Sequence, residues 1–235
     1  MKAICVKELK SYYLSPIGYV FTGVLLFFFG ISYMQVLMTL SSSFIPTIYS
    51  SLFTWCMMIL LPILTMRSFS EEMRNKTDQG LLTAPVGVGA IVFGKFLAAF
   101  LVFAIALGAS LIPAVVISFF SSPDWPRIFG TVVGSLLYGA AMIAVGIFIS
   151  SLTQSQMVAA ISTFGVSLLL LLVGNLAGSV NNDFLSKLLT WISFDSRYQT
   201  FTKGVFSVSG TVFFLSVAAV FLFLTARKLE SKRWS

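Results

Sequence analysis

Six long apolar runs without a single charged residue constrain the fold of this chain more than any other feature. They cover residues 17–39, 48–66, 96–120, 128–150, 156–178 and 208–226, and none contains Lys, Arg, Asp or Glu. An α-helix rises about 1.5 Å per residue, so about 20 apolar residues cross the hydrocarbon core of a bilayer. The chain is 57% hydrophobic and only 10% charged. We therefore predict an all-α membrane protein with six transmembrane helices in a single domain, residues 1–235, without a separate soluble catalytic domain.

The basic residues predict how these helices are oriented. Six spans place both termini on one side of the membrane. Eleven of the fifteen bases then share that side, namely Lys2, Lys7, Lys10, Arg67, Arg74, Lys76, Lys95, Arg227, Lys228, Lys232 and Arg233. The other side holds Arg127, Lys187, Arg197 and Lys203. Because short cytoplasmic loops carry an excess of Lys and Arg, we expect both termini of this multi-pass membrane protein in the cytoplasm. The bases flank helices instead of forming one basic face, so we predict no nucleic-acid partner.

The residue types that are missing exclude several classes of function. The chain contains no histidine and two cysteines, Cys5 and Cys56. This removes His-based catalytic triads and His metal sites, and one cytoplasmic and one membrane cysteine cannot form a disulfide framework. The spans also lack the buried carboxylates or cations on which proton- and ion-coupled carriers depend. We therefore predict no catalytic residue, no metal site and no cofactor bound by this chain, and expect any energy input to enter from outside the bilayer.

Residues 1–16 are patterned for a helix that lies along the membrane surface. Two faces emerge on a helical wheel. One holds Cys5, Val6, Leu9, Tyr12 and Tyr13, and the other holds Lys7, Glu8, Lys10 and Ser11. Such a helix suits the cytoplasmic headgroup region, and Pro16 marks its turn into the first span. The alternative is a basic topology anchor without a surface helix.

The polar segment from Arg67 to Lys95 is the longest interruption between apolar runs. It holds three of the eight acids and four of the fifteen bases. The spacings Arg67–Glu71, Glu71–Arg74 and Glu72–Lys76 favour a helix that continues out of the membrane. We expect Gly80 to interrupt this helix and Pro85 to begin the turn back, with Leu81 and Leu82 as an apolar pair between them. The segment is best explained as a surface gripped by another protein; the alternative is a solvated loop.

Lys95 closes this segment, and we expect it to be a cytoplasmic anchor whose ammonium group snorkels toward water. The stretch Gly89-Ala-Ile-Val-Phe-Gly-Lys95-Phe96 is similar to the phosphate-binding loop pattern. However, Phe96 lacks the hydroxyl that would hold Mg²⁺, and no soluble strand precedes the stretch. We therefore predict no nucleotide site here.

Two further patterns concern the outer interface and helix packing. In residues 180–207, apolar side chains recur at helical spacing, at Phe184, Leu185, Leu188, Leu189, Trp191 and Ile192. They predict one or two short amphipathic or re-entrant helices at the outer interface, or alternatively a plain extracellular loop. In the fourth apolar run, the small residues Gly130, Gly134, Gly139 and Gly146 favour close approach of neighbouring helices.

With these features together, nearly the whole chain resembles the ABC-2 type permeases. It is most similar to the small six-span permeases associated with gliding motility and with nitrous-oxide-reductase maturation. The resemblance rests mainly on Arg67-Ser-Phe-Ser-Glu-Glu-Met-Arg-Asn-Lys-Thr77 with Leu81-Leu82-Thr-Ala-Pro85 and Gly94-Lys95. Supporting matches are Lys7-Glu8-Leu9-Lys10, Pro62 through Arg67, Phe201-Thr-Lys-Gly204-Val205 and Glu230-Ser-Lys-Arg-Trp234.

The resemblance implies the membrane-spanning subunit of an ATP-driven exporter. Residues 1–16 would be an elbow helix, which includes Val6, Leu9, Tyr12 and Tyr13. Residues 67–95 would be a cytoplasmic coupling region that docks on a separate ATPase. Its contact residues would be Glu71, Glu72, Arg74, Thr77, Leu81, Leu82 and Pro85. The stretch Asp78-Gln79-Gly80 departs from a continuous helix former, which leaves the length of the coupling helix open.

The resemblance also implies an assembly. Two ATPase subunits would bind the ATP and Mg²⁺, and a second permease, a copy of this chain or a different one, would complete the pathway. That pathway would lie between the permeases, lined partly by the second and fifth spans, with residues 180–207 near its outer exit. A lipid, a peptide or a hydrophobic small molecule suits the apolar and hydroxylated spans equally well. A channel or secondary carrier that works without an ATPase is the alternative function.

Overall fold

The computed structural model of the chain describes residues 2–39, 45–77, 87–119, 124–177 and 190–234. Every regular element within these ranges is a helix. In chain order they are α1 (Lys2–Leu14), α2 (Pro16–Thr39), α3 (Ile45–Thr65), α4 (Ser70–Arg74), α5 (Val88–Ala109), α6 (Ile112–Ser118), α7 (Trp125–Ser150), α8 (Gln156–Ala177), α9 (Phe194–Thr202) and α10 (Val208–Trp234). The predicted all-α fold is confirmed for this part of the chain.

Five helical stretches in the described ranges are long and apolar enough to cross a membrane. They are Pro16–Met34, Val88–Ser118, Trp125–Ser150, Gln156–Val173 and Val208–Lys232. These stretches match the first, third, fourth, fifth and sixth apolar runs, so the chain is a multi-pass membrane protein. The second run corresponds to α3, a helix of 21 residues. Its role as a sixth span stays a prediction.

Helix α7 forms the centre of the bundle and is the most buried of the five stretches. It packs against α3, α5, α8, α9 and α10. Its glycines allow this close approach: a Cβ at Gly139 would lie 2.2 Å from the Phe103 ring, and one at Gly146 would lie 2.2 Å from Thr65 Oγ1. The predicted packing role of the small residues in this helix is confirmed.

The two ends of α7 contact different parts of the chain. Near its start, a Cβ at Gly130 would lie 2.8 Å from the carbonyl oxygen of Phe201 in α9. At its end, the Ser150 side chain is hydrogen-bonded to the segment that follows α3. Since α7 has 26 residues, these ends lie about 39 Å apart. We call α1, residues 66–77 and Lys95, all at the Ser150 end, the polar cap.

Helix α9 lies at the end of the bundle opposite the polar cap, and it is buried more deeply than a surface helix. Phe194, Tyr198 and Phe201 are enclosed, and α9 packs on α3, α7 and α8. The Tyr198 hydroxyl lies 2.9 Å from Ser135 Oγ, within hydrogen-bond distance. Of the apolar residues that predicted an amphipathic helix before it, Trp191 and Ile192 are exposed. The others, Phe184, Leu185, Leu188 and Leu189, lie outside the described residues.

Candidate functional site

Helix α1 forms one side of the polar cap and packs on α5 and α2. Tyr12 is its most buried side chain, and its hydroxyl donates to the carbonyl oxygen of Leu64 at 3.1 Å. Burial raises the pKa of the Tyr12 phenol above its usual value. Leu9 and Tyr13 are half-buried against the same core, whereas Val6 is 50% exposed. The predicted apolar face is therefore split between packed residues and the exposed Val6.

The other side of the cap is the segment that leaves α3. Its helix, α4, has five residues and ends at Arg74. Lys76 adopts a positive φ of 54°, a left-handed conformation that a helix does not continue through. The prediction of a helix running from α3 toward Gly80 is therefore wrong over these residues. Leu81, Leu82 and Pro85, which we predicted as contact residues, lie outside the described residues.

Ser150, the last residue of α7, fixes the start of this segment. Its hydroxyl oxygen accepts hydrogen bonds from the backbone N–H groups of Phe69 at 3.1 Å and Ser70 at 3.2 Å. The same hydroxyl donates to the carbonyl oxygen of Met66 at 3.0 Å. The first N–H groups of a helix have no partner within it, so this serine replaces a capping residue of α4. Residues 66–70 are thereby tied to the centre of the bundle.

Arg67 connects the segment to α1. Its Nε lies 2.8 Å from Glu71 Oε2, which confirms the predicted pair. Its two terminal nitrogens donate to Ser15 Oγ at 2.8 Å and Ser11 Oγ at 3.5 Å, both in or next to α1. One guanidinium therefore binds both sides of the cap, as the planar fork of five N–H donors allows.

Lys95 lies at the centre of the cap, and its side chain is only 2% exposed. Its Nζ is 3.0 Å from Glu8 Oε1, 2.8 Å from Glu72 Oε1 and 2.9 Å from the carbonyl oxygen of Ser68. These acceptors match the three N–H donors of an ammonium group. The ring of Phe69 lies 5.1 Å from the same nitrogen. The prediction of a snorkelling, water-facing Lys95 is therefore wrong.

The same contacts correct two other predictions. Glu8 does not belong to a solvent-facing side of α1, because its carboxylate turns inward to Lys95. Glu72 pairs with Lys95 and not with Lys76, while Glu71 takes Arg67 as its partner. The isolation of two of these charges in the sequence is a signal for their pairing. Glu8 is the only acid before residue 71, and Lys95 is the only base between Lys76 and Arg127.

A cavity of about 230 Å³ opens between α1 and the segment after α3. Its charged lining is balanced, with three cations and three carboxylates: Lys7, Arg67, Lys95, Glu8, Glu71 and Glu72. The second carboxylate oxygen of Glu72 is buried and accepts no hydrogen bond from the residues that the structure describes. Elsewhere on this segment, the side chains of Arg74 and Thr77 are exposed and that of Glu71 is partly exposed. The cap is thus held together by ion pairs and hydrogen bonds within, and it presents polar side chains outward.

At the far end of the bundle, Arg197 is the main polar feature. Its guanidinium lies 4.3 Å from the centre of the Phe213 ring and donates to the carbonyl oxygen of Trp191 and to Ser209 Oγ. Burial raises the pKa of the neighbouring Asp195 carboxyl, which accepts a hydrogen bond from Gln199 at 2.7 Å. Among the described residues, no group of His, Cys, Asp or Glu is arranged to hold a metal ion.

Comparison with known proteins identifies the family. The sequence profile described as ABC-2 family transporter protein matches residues 3–229, which is nearly the whole chain. No curated protein matches the chain significantly. The profile covers α9, four of the five candidate spans in full and the fifth up to residue 229, and all of the polar cap except Lys2. The chain therefore belongs to the ABC-2 transporter family, whose membrane domain is a non-catalytic permease that associates with the ATPases of an ABC transporter.

Proposed function

We propose that this chain is the permease subunit of an ABC exporter in the bacterial inner membrane, with both termini in the cytoplasm. Six spans, with α3 as the second, form the membrane domain. Two separate ATPase subunits bind ATP and Mg²⁺ and dock on residues 67–95, and α1 is the elbow helix. A second permease completes the translocation pathway.

The observation that carries this proposal is the construction of the polar cap. Residues 66–74 are fixed by Ser150 from α7, by Arg67 through α1, and by Lys95 from α5. A solvated loop needs no such fixation, whereas a surface that receives force from a partner does. The outward side chains Glu71, Arg74 and Thr77 are available for polar contacts with an ATPase. Glu72, which we also predicted as a contact, is only 17% exposed, so we assign it to support the surface from beneath.

The outward faces of the spans support the pairing of permeases. Helix α8 is the least buried of the five candidate spans. Met157, Ile161 and Leu169 face outward from it. In our proposal, part of this face contacts the second permease and the rest contacts lipid. The pathway then lies between the permeases beside α3 and α8, with α9 near its outer exit.

Purification from the native host in a gentle detergent, followed by mass spectrometry, tests the partner. We expect a stoichiometric ATPase to accompany the wild-type chain. The double variant Arg74→Ala/Leu82→Ala should retain less than about a tenth of that ATPase, because the loss of a few contact residues at an interface centre commonly removes most of the binding energy. Lys228→Ala is the matched control, since it removes an exposed cation on the same predicted side.

The possible results separate the alternatives. Recovery of the permease without any ATPase, under conditions that keep other transporter complexes whole, would favour a channel or carrier that works alone. If the double variant copurifies with as much ATPase as the wild type, the ATPase is a partner but does not dock on residues 67–95.

A further inference from the structure

We propose that Lys95 is a positioning residue that locks α1 and the segment after α3 onto the first turns of α5, so that the three move as one unit. The inference rests on the proposed function for its purpose, because a docked ATPase would push on that segment. The lock itself is a property of this chain alone. It assigns Lys95, Glu8 and Glu72 a role beyond membrane anchoring or direct contact with a partner.

The position of Lys95 in the fold is the first argument. Its ammonium group bonds to two parts of the chain that are distant from it in sequence: Glu8 in α1, and Ser68 and Glu72 in the segment after α3. Lys95 itself belongs to α5, which leads into the membrane. Arg67 and Tyr12 also tie α1 to the segment or to α3, but neither of them involves α5.

Burial is the second argument. A side chain that only marks the membrane boundary keeps its ammonium group in water, whereas Lys95 is 2% exposed. A buried ion pair is costly to break, because the loss of one partner leaves the other charge buried without compensation. Relative motion between α1, the segment and α5 would separate these charges. The lock therefore favours motion of α1, the segment after α3 and α5 together as one rigid unit.

The charge balance is the third argument. Two carboxylates share one ammonium group here, and one oxygen of Glu72 has no hydrogen-bond partner among the described residues. Removal of the ammonium group would leave two carboxylates facing each other across the vacated space. Lys95 therefore holds together two groups that repel each other, and the loss of Lys95 should drive α1 away from the segment.

A native thiol reports on this contact. Cys5 lies in α1 and is half-buried against the core, whereas Cys56 is buried in α3. The rate at which a water-soluble maleimide labels Cys5, in membranes sheared open to expose both faces, measures how firmly α1 is docked. Cys56 serves as an internal control for the integrity of the bundle.

We expect Lys95→Met to accelerate the labelling of Cys5 at least about tenfold, because it leaves uncompensated buried charge. Glu8→Gln should give a smaller acceleration. The triple variant Glu8→Gln/Glu72→Gln/Lys95→Met should react more slowly than Lys95→Met alone, because it buries no unpaired charge. Such non-additivity is the signature of a charge lock, whereas a space-filling role would give effects that add. Glu230→Gln, in the exposed Arg227–Glu230 pair, should leave the rate unchanged.

An unchanged rate of Cys5 labelling in Lys95→Met, with Cys56 still protected, would overturn the lock. If Cys56 also becomes reactive, the milder Glu8→Gln decides: faster labelling of Cys5 alone supports the lock, and an unchanged rate overturns it. The assay uses neither nucleotide nor ATPase. A missing ATPase with a confirmed lock would therefore count against the proposed function only, and a bound ATPase with an unchanged rate would count against the lock only.

Discussion

At the scale of single residues, the polar cap depends on side chains whose partners are far away in sequence. Glu8 and Lys95 are separated by 87 positions, and Phe69 and Ser150 by 81. Each contact satisfies a group that burial would otherwise leave without a partner, which is costly in a low-dielectric interior. These residues act by holding α1 and the segment after α3 in place, so their loss should lower stability before it affects transport.

Two adjacent tyrosines allow the contribution of one such hydrogen bond to stability to be tested with a matched control. Tyr12→Phe removes a buried hydroxyl that donates to Leu64, whereas Tyr13→Phe removes a buried hydroxyl without a hydrogen-bond partner in the described part of the chain. We expect Tyr12→Phe to lower the free energy of unfolding by about 1 kcal/mol. Tyr13→Phe should be neutral or slightly stabilising, because no hydrogen bond is lost.

Thermal unfolding in detergent, followed by tryptophan fluorescence, measures both variants. A clear fall in Tm for Tyr12→Phe alone is the expected pattern. Equal shifts for the two variants would show that the bond to Leu64 does not hold α1 in place.

At the scale of elements, the sequence predicted the features that depend on neighbouring residues, such as helices and ion pairs within one turn. It did not predict the contacts between elements that are distant in sequence. The long apolar runs became helices, and the four-residue spacing of Arg67 and Glu71 became an ion pair. The partners of Lys95 could not be predicted, because no local spacing connects α1, α4 and α5. Similarly, hydrophobic periodicity indicated a surface helix near α9 but could not reveal that α9 is enclosed by three other helices.

The burial of α9 leads to a prediction about Phe201, the side chain that packs this helix against α7. Phe201 is fully buried and fits against Gly134, where a Cβ would lie 2.6 Å from Phe201 Cβ. Phe201→Ala should destabilise the protein by about 3 kcal/mol. This value is at the low end for a buried Phe, because much of the unfolded chain stays in an apolar environment. Phe206→Ala is the control, since Phe206 contacts Phe201 but is 62% exposed.

The comparison uses the loss of the monodisperse peak on size-exclusion chromatography after heating. Phe201→Ala should lose its peak at a clearly lower temperature than Phe206→Ala. Similar temperatures for the two variants would mean that α9 rests on the surface of the bundle and is not an integral part of it.

At the scale of the whole molecule, the number of spans decides where the two termini lie. The five candidate spans in the described ranges would place the start of α2 and the end of α10 on opposite sides. With α3 as a sixth span, both lie on the same side. Helix α3 has 21 residues, about 32 Å, close to the thickness of the hydrocarbon core. It also contacts α9 at one end of the bundle, while the residue after it, Met66, accepts a hydrogen bond from Ser150 at the other.

The bundle geometry therefore favours six spans, and reporter fusions in the native membrane test that number directly. Green fluorescent protein fused after the last residue, Ser235, should fluoresce, because it folds only in the cytoplasm. Alkaline phosphatase should be active when fused after Asp124 and inactive when fused after Thr153, since α7 lies between these positions. A phosphatase that is active after Ser235 while the fusion after Thr153 is inactive would leave an odd number of spans between these two positions. It would then place the end of α10 away from the polar cap and remove the basis for a cytoplasmic surface shared by both termini.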